Sequence, residues 1–340
     1  MRLMDEVLEN QTLGRWAERL PRAPGQVGGL HEADAELLPL GDGRLLALTV
    51  DTVDEEVRLG LYASAFTAGR TAAVAALSDL AAVGAEPMGL LLSAGLPAGS
   101  GPEVQDGLAR GVADACRDAG THVVGGDTNE TAGLSVTCAG AGLVPAESVL
   151  LRVGLCPGDL LFASGPLGLG SALAAARLLR APSAVFPEER YRPRVRIAHG
   201  RALRGIASAC MDTSDGLLAT LDQLARVNGV AVRIERPLPE LLDPHAEAAR
   251  RALGLSAFAF LAGHHGEFEL VFGVPPRRVP DLERAAAALA WRPLGLGRVE
   301  RGRGLMAGDT TIDGAWVRNL LAEVGGDLSA YMRALSAVEV

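Results

Sequence analysis

No lysine occurs anywhere in this chain of 340 residues, and all 32 of its basic residues are arginine. A Schiff-base lysine, a P-loop lysine and a lysine general base are therefore excluded. Any phosphate chemistry must rest on arginine, backbone amides and metal ions. Aromatic residues make up only 4% although 49% of the residues are apolar, much of that Ala and Leu. Helices and sheets must then pack closely through small side chains. No apolar run approaches the length of a membrane span. The cysteines, Cys116, Cys138, Cys156 and Cys210, form no CxxC pair and sit in apolar contexts, which reads as buried free thiols rather than a zinc site or disulfide framework. A net charge of −9 without a basic cluster argues against nucleic acid as a partner. The opening Met1-Arg2-Leu3-Met4-Asp5-Glu6 lacks the basic-then-apolar order of a signal peptide, so a cytoplasmic protein with no membrane partner is expected. The length fits two domains or one large α/β unit.

What the chain does have is a run of acids in unusual places. Met211-Asp212-Thr213-Ser214-Asp215-Gly216-Leu217 follows the apolar Ile206–Cys210 and precedes Leu217, Leu218, Leu221 and Leu224 at helical spacing. Two carboxylates, a hydroxyl and a glycine thus stand at a strand-to-helix junction. Ser214 or Asp215 can serve as an N-cap, but a cap needs one acceptor and this turn offers three. Earlier, an amphipathic helix is expected over residues 4–20, and Asp34 and Glu36 share a side if their stretch is extended. A strand from Leu45 to Thr49 delivers Asp51. Asp79 lies in an Ala-rich helical stretch over 61–84, flanked by apolar residues, where an unpaired buried carboxylate is costly. A strand over Thr121–Val124 runs into Gly125-Gly126-Asp127, where two glycines allow a close backbone approach to a ligand or simply make a turn. The composition changes around Pro145–Leu151. Beyond it, Arg190–Leu203 reads as an Arg-rich helix, and His264-His265 as loop rather than zinc site. Jointly, Asp34, Asp51, Asp79, Asp127, Asp212 and Asp215 fit a carboxylate cluster holding magnesium ions against a polyphosphate, which needs no P-loop lysine.

The motifs Ala76-Leu77-Ser78-Asp79-Leu80-Ala81-Ala82-Val83-Gly84, Val124-Gly125-Gly126-Asp127-Thr128, Arg152 through Pro157-Gly158-Asp159, and Met211–Leu217 together resemble thiamine-monophosphate kinase. That family belongs with aminoimidazole ribonucleotide synthetase, selenophosphate synthetase and the hydrogenase-maturation dehydratase. The resemblance implies an α/β (α+β) two-domain fold of the aminoimidazole ribonucleotide synthetase type and a homodimer that pairs its N-terminal sheets. ATP would lie in a cleft between the halves. An N-terminal ATP- and metal-binding domain over residues 1–148, a C-terminal α/β domain over 149–325 and a tail over 326–340 are expected. By position, Asp34, Thr49, Asp51, Asp79, Asp127, Asp212 and Asp215 would bind Mg2+, and Gly126, Asp127, Arg152 and Ser214 would contact ATP. Asp127, Asp212 and Asp215 would carry catalysis.

Departures fall mainly on the acceptor side. Ala33-Asp34 replaces two adjacent acids, and Val50 replaces a hydroxyl residue. Arg58 stands where the family has a substrate-binding His, and Gly266 replaces the substrate-contacting Glu in His264-His265-Gly266-Glu267-Phe268-Glu269-Leu270. Arg58, as a fork for an anion, and Glu267 are then the expected substrate contacts. The sequence predicts an ATP- and Mg-dependent kinase of a small anionic acceptor, by default thiamine monophosphate. A synthetase or dehydratase activating an amide or carboxylate oxygen, and a nucleotide-binding regulatory protein without turnover, are the alternatives.

Overall fold

The computed structural model describes residues 3–338. Residues 1 and 2 of the opening stretch, and 339 and 340 of the expected tail, lie outside the described residues. The first half contains α1 (Leu8–Ala17), β1 (Glu36–Pro39), β2 (Arg44–Thr52), α2 (Asp54–Arg58), α3 (Ala65–Ala82), β3 (Glu86–Pro97), α4 (Pro102–Ala119), β4 (Val123–Thr131) and β5 (Ser135–Pro145). The second contains β6 (Leu160–Ala163), α5 (Leu169–Leu178), α6 (Ile197–Leu203), β7 (Ala209–Asp212), α7 (Leu217–Asn228) and β8 (Ala231–Ile234). It continues with α8 (Pro244–Leu253), α9 (Ala257–Ala262), β9 (Leu270–Val274), α10 (Val279–Ala288) and β10 (Leu294–Glu300). Strands β11 (Gly304–Ala307) and β12 (Thr310–Ile312) and helices α11 (Gly314–Glu323) and α12 (Leu328–Ser336) close it.

The strands form two sheets, one ordered β1-β2-β5-β3-β4 and the other β12-β11-β8-β10-β6-β9-β7. Neighbours are antiparallel except β3 with β4 and β11 with β8. This is the expected mixed α/β architecture. Among the described residues, no helix is long and apolar enough to cross a membrane.

Helix α3 lies at the seam. It packs on β2 and β5 of the first sheet, on α4 and α6, and against β7 and β9 of the second. A helix surrounded on all sides cannot be amphipathic, and 12 of the 18 residues of α3 are Ala, Thr, Gly or Ser. Its small side chains let neighbours touch its backbone. A Cβ at Gly111 of α4 would stand 2.1 Å from the Phe66 carbonyl oxygen, and one at Gly200 of α6 would stand 1.9 Å from that of Ala81.

Two elements differ from the sequence reading. The Arg190–Leu203 stretch becomes helix only from Ile197, because Pro193 has no N–H and biases Arg192 toward extended backbone. The stretch taken for a tail carries α12, whose Tyr331, Met332 and Leu335 are buried in the second core. Gly111→Ala should lower unfolding free energy by about 1–3 kcal/mol through overpacking at the α3–α4 contact, read as a lower urea midpoint with unchanged slope.

Candidate active site

Three carboxylates from three separate elements meet where the two sheets face α3. Asp34 precedes β1, Asp79 lies in the last turn of α3 and Asp212 ends β7. An oxygen from each lies within 4.8 Å of the others, and among the described residues this is the one His, Cys, Asp and Glu group close enough to share an ion. Asp34 Oδ1 accepts from Arg152 Nη2 at 2.9 Å and from the Asp212 backbone N–H at 3.5 Å. Asp212 Oδ1 accepts from the Ser214 hydroxyl at 2.9 Å and from the Ser214 N–H at 3.3 Å. Ser214 thus orients a carboxylate instead of capping α7, whose N-cap is Gly216. Thr49 bridges Asp79 and Asp51, its hydroxyl bonding Asp79 and lying 3.4 Å from Asp51 Oδ2.

Electrostatically the cluster is short of cations. Burial, then the neighbouring Asp34, pushes the Asp212 carboxyl up to about 7. Burial and the charges of Asp51, Asp212 and Asp34 hold Asp79 well above the usual carboxylate range. Asp51 is raised too, by burial and by the charges of Asp215 and Asp34, against hydrogen bonds from Asp79 and Thr49. Carboxylates this close cannot all ionise without a counter-charge. Asp34 Oδ2 and Asp212 Oδ2 are buried and lack any hydrogen-bond partner. Orphaned hard oxygens in an all-oxygen set fit a divalent cation such as magnesium.

Beside the cluster opens a pocket of about 260 Å³, walled by Asp51, Glu56, Asp215, His265, Phe268 and Tyr331 among others. Asp51 and Asp215 therefore join cluster to pocket. His264 and His265 line it as well, both presented edge-on to Tyr331. Sequence reading missed Glu56 and Tyr331; the apolar spacing of Leu328, Tyr331, Met332 and Leu335 is the signal that marks α12 as packed rather than loose.

Four expected residues stand elsewhere. The Gly125-Gly126-Asp127 run is no strand-end turn, for β4 continues to Thr131 at the sheet edge. Asp127 pairs in register with Ser93, then Thr137 and Thr52. By pleat parity it shares the outer sheet face with Val50, whereas Asp51 points to the inner one. Three strand spacings, roughly 14 Å, separate Asp127 from Thr52, so within one chain neither Asp127 nor Gly126 reaches the cluster. Asp127 instead accepts from Asn129 at 2.7 Å.

Arg58 is exposed, pairs with Glu55 at 3.4 Å and does not line the pocket. Glu267 is buried and accepts backbone N–H bonds from Gly168, Leu169, Gly170 and Ser171 at 2.8–3.2 Å. It fixes the start of α5 and has no oxygen facing the pocket walls. Burial lifts its carboxyl to about 7, against the pull of those amides.

With this geometry in view, relatives become informative. Residues 32–144 match the family model of the AIR synthase related protein, N-terminal domain. The thiamine-monophosphate kinase of Caulobacter vibrioides is 33% identical over 282 residues, covering 81% of this chain and 79% of the relative. The chain belongs to the thiamine-monophosphate kinase family. The family member from Halobacterium salinarum is 32% identical over 297 residues, covering 85% of this chain and 96% of its own. Among solved structures, AaThiL complexed with AMPPCP and TMP shares the fold at a TM-score of 0.75 and 23% identity, over 92% of this chain and 97% of that one.

The charge crowding has a measurable sign. An Asp whose folded-state value is raised from about 4 to about 7 removes stability as pH climbs through that window. Metal-free protein should therefore melt lower at pH 8 than at pH 5.5 on account of this group. Asp212→Asn should raise the pH 8 melting temperature in EDTA and lose the upward shift that magnesium gives the parent. Melting curves at the two pH values, with and without magnesium, check both.

Proposed function

We propose that the protein is a cytoplasmic kinase that uses ATP and magnesium to convert thiamine monophosphate to thiamine diphosphate. The observation that carries this reading is the buried acid cluster with orphaned oxygens on Asp34 and Asp212, in a chain 33% identical to a thiamine-monophosphate kinase. Asp34, Asp51, Asp79, Asp212 and Asp215 would hold the metal, which supplies charge neutralisation for phosphoryl transfer. The chain's own groups set the geometry. Arg152 pins Asp34 from one side, Ser214 pins Asp212 from another and Thr49 ties Asp79 to Asp51. Because the acceptor is already a phosphate anion, no side-chain base is required, and positioning carries the rate.

The acceptor end supports the same substrate by different means. Glu55, Glu56 and Asp215 line the pocket together with Phe268 and Tyr331. Carboxylates beside aromatic rings suit a cationic heteroaromatic such as the thiazolium of thiamine. Recognition of that charge does not call on Arg58 or Glu267.

The protein acts, in this reading, as a homodimer. Leu48, Val50, Met88, Leu91, Val123 and Val124 are exposed large apolar residues on the strands of the first sheet. A patch of that kind marks an interface, and pairing it with a second copy supports a site to which Asp127 and Gly126 belong across the dimer.

Purified protein with ATP, magnesium and thiamine monophosphate should yield ADP and thiamine diphosphate in equal amounts. Release of free phosphate instead would point to the synthetase chemistry, and no thiamine-dependent turnover would remove the kinase reading. Asp127→Asn and Asp212→Asn should each be inactive alone. Co-refolded in equal amounts they should regain about a quarter of the parent activity, since half the dimers are mixed and each has one intact site. No recovery would place both aspartates in the same chain's site.

A further inference from the structure

A second concavity, of about 610 Å³, shares no lining residue with the acceptor pocket. It forms where the end of α4, the end of β6, the segment before α6 and the turn after α10 meet, and its walls include Asp118, Arg194, Arg196, His199, Trp291 and Arg292. Its charge is unbalanced. Asp118, its one carboxylate, is already held by Arg70 at 2.7 Å. Arg194 and Arg292 make no hydrogen bond or ion pair among the described residues. In a chain with 41 acidic residues against 32 basic ones, two guanidinium groups left without carboxylates in one hollow run against the overall balance.

Deeper in, Arg196 is only 4% exposed. Its Nη2 bonds Glu269 at 2.5 Å, while its Nε is buried with no partner. His199 Nδ1 is likewise buried and unpartnered. Burial, then the charges of Arg196 and Arg194, push the His199 imidazole down to about 4; its Nε2 accepts from Arg196 Nη1 at 3.4 Å, so the neutral ring offers Nδ1–H as a donor. The indole of Trp291 is fixed by its Nε1 donating to the Ser164 carbonyl at 2.7 Å. The residue before it, Ala290, takes a left-handed backbone with φ of 49°, a conformation uncommon for a residue bearing a side chain.

We propose that this concavity is a metal-independent binding site for a phosphate-bearing small molecule, gripped by Arg194 and Arg292 at the mouth and met by Arg196 at the floor. Guanidinium forks match phosphate oxygens two at a time, and they remain charged at any working pH. The floor touches the acid cluster only indirectly. Glu269 donates its N–H to Thr213 Oγ1 at 2.9 Å and accepts that hydroxyl on its carbonyl at 3.0 Å, and Thr213 follows Asp212. The site therefore stands or falls separately from the kinase reading.

The test uses the full chain in EDTA without nucleotide, titrated by calorimetry with inorganic pyrophosphate and, separately, with glycerol 3-phosphate, while tryptophan fluorescence is followed. Saturable binding of at least one probe is expected, the tighter one telling a polyphosphate from a phosphate monoester. Arg194→Ala with Arg292→Ala should weaken it at least tenfold at an unchanged melting temperature, since both side chains are exposed and unpaired. Trp291→Phe should abolish the fluorescence change while calorimetric binding persists, and Asp212→Asn should leave binding intact. Absence of saturable binding, unchanged affinity in the double variant, equal competition by sodium chloride at matched ionic strength, or loss of binding with Asp212→Asn would each overturn the assignment.

Discussion

An aspartate can be carried into the middle of this protein because the helix that bears it is built mostly of small side chains. Helix α3 is buried along nearly its whole length, and glycines on α4 and α6 bring neighbouring backbones against it. That close approach puts Asp79 within reach of Thr49 from the first sheet and Asp212 from the second. Bulkier residues on α3 would push the sheets apart, and the carboxylates would solvate separately. The low aromatic content and the abundance of alanine therefore belong to the same design as the acid cluster. The cost is electrostatic, for desolvated acids repel one another. Arg152 offsets only part of it, bonding one oxygen of Asp34 and leaving the other without a partner.

Much of this was legible in the chain. An acid amid Ala and Leu, as at Asp79, has few stable explanations, and the Asp-Thr-Ser-Asp-Gly turn offered more acceptors than a cap can use. The cluster itself follows from those two facts and from the strand that ends near Asp51. Other features depend on partners far away in sequence. Nothing local to Glu267 shows that four amides of α5 converge on it. The side of the sheet on which Asp127 falls is set by its register with Ser93, and a shift of one residue would reverse it. Arg58 stood at the family position of a substrate-binding His, yet its helix turns it toward Glu55 and solvent.

The cluster and the pocket beside it answer to the sequence expectation unequally. Asp34, Asp79 and Asp212 meet in one cluster, while Arg152 and Ser214, expected as ATP contacts, bond Asp34 and Asp212. The pocket beside the cluster has acidic and aromatic walls, and of the two positions where the resemblance implies a His and a Glu, Arg58 stands outside its lining and Gly266 brings it no charge.

Gly266 shows how firmly the surrounding structure holds one position of the pocket to glycine. Its φ of 66° is left-handed, and a Cβ there would stand 2.8 Å from the Phe268 ring and 2.9 Å from the Tyr191 hydroxyl. That hydroxyl donates to the Gly266 carbonyl at 2.9 Å, and its ring stacks on Tyr62 at 6.0 Å between centroids. Placing an acid at position 266 would thus require a new backbone torsion, a moved phenylalanine and a loosened tyrosine stack at once. The charge of this pocket is therefore more readily retuned at Glu55 or Glu56, which line it, than by a side chain introduced at position 266.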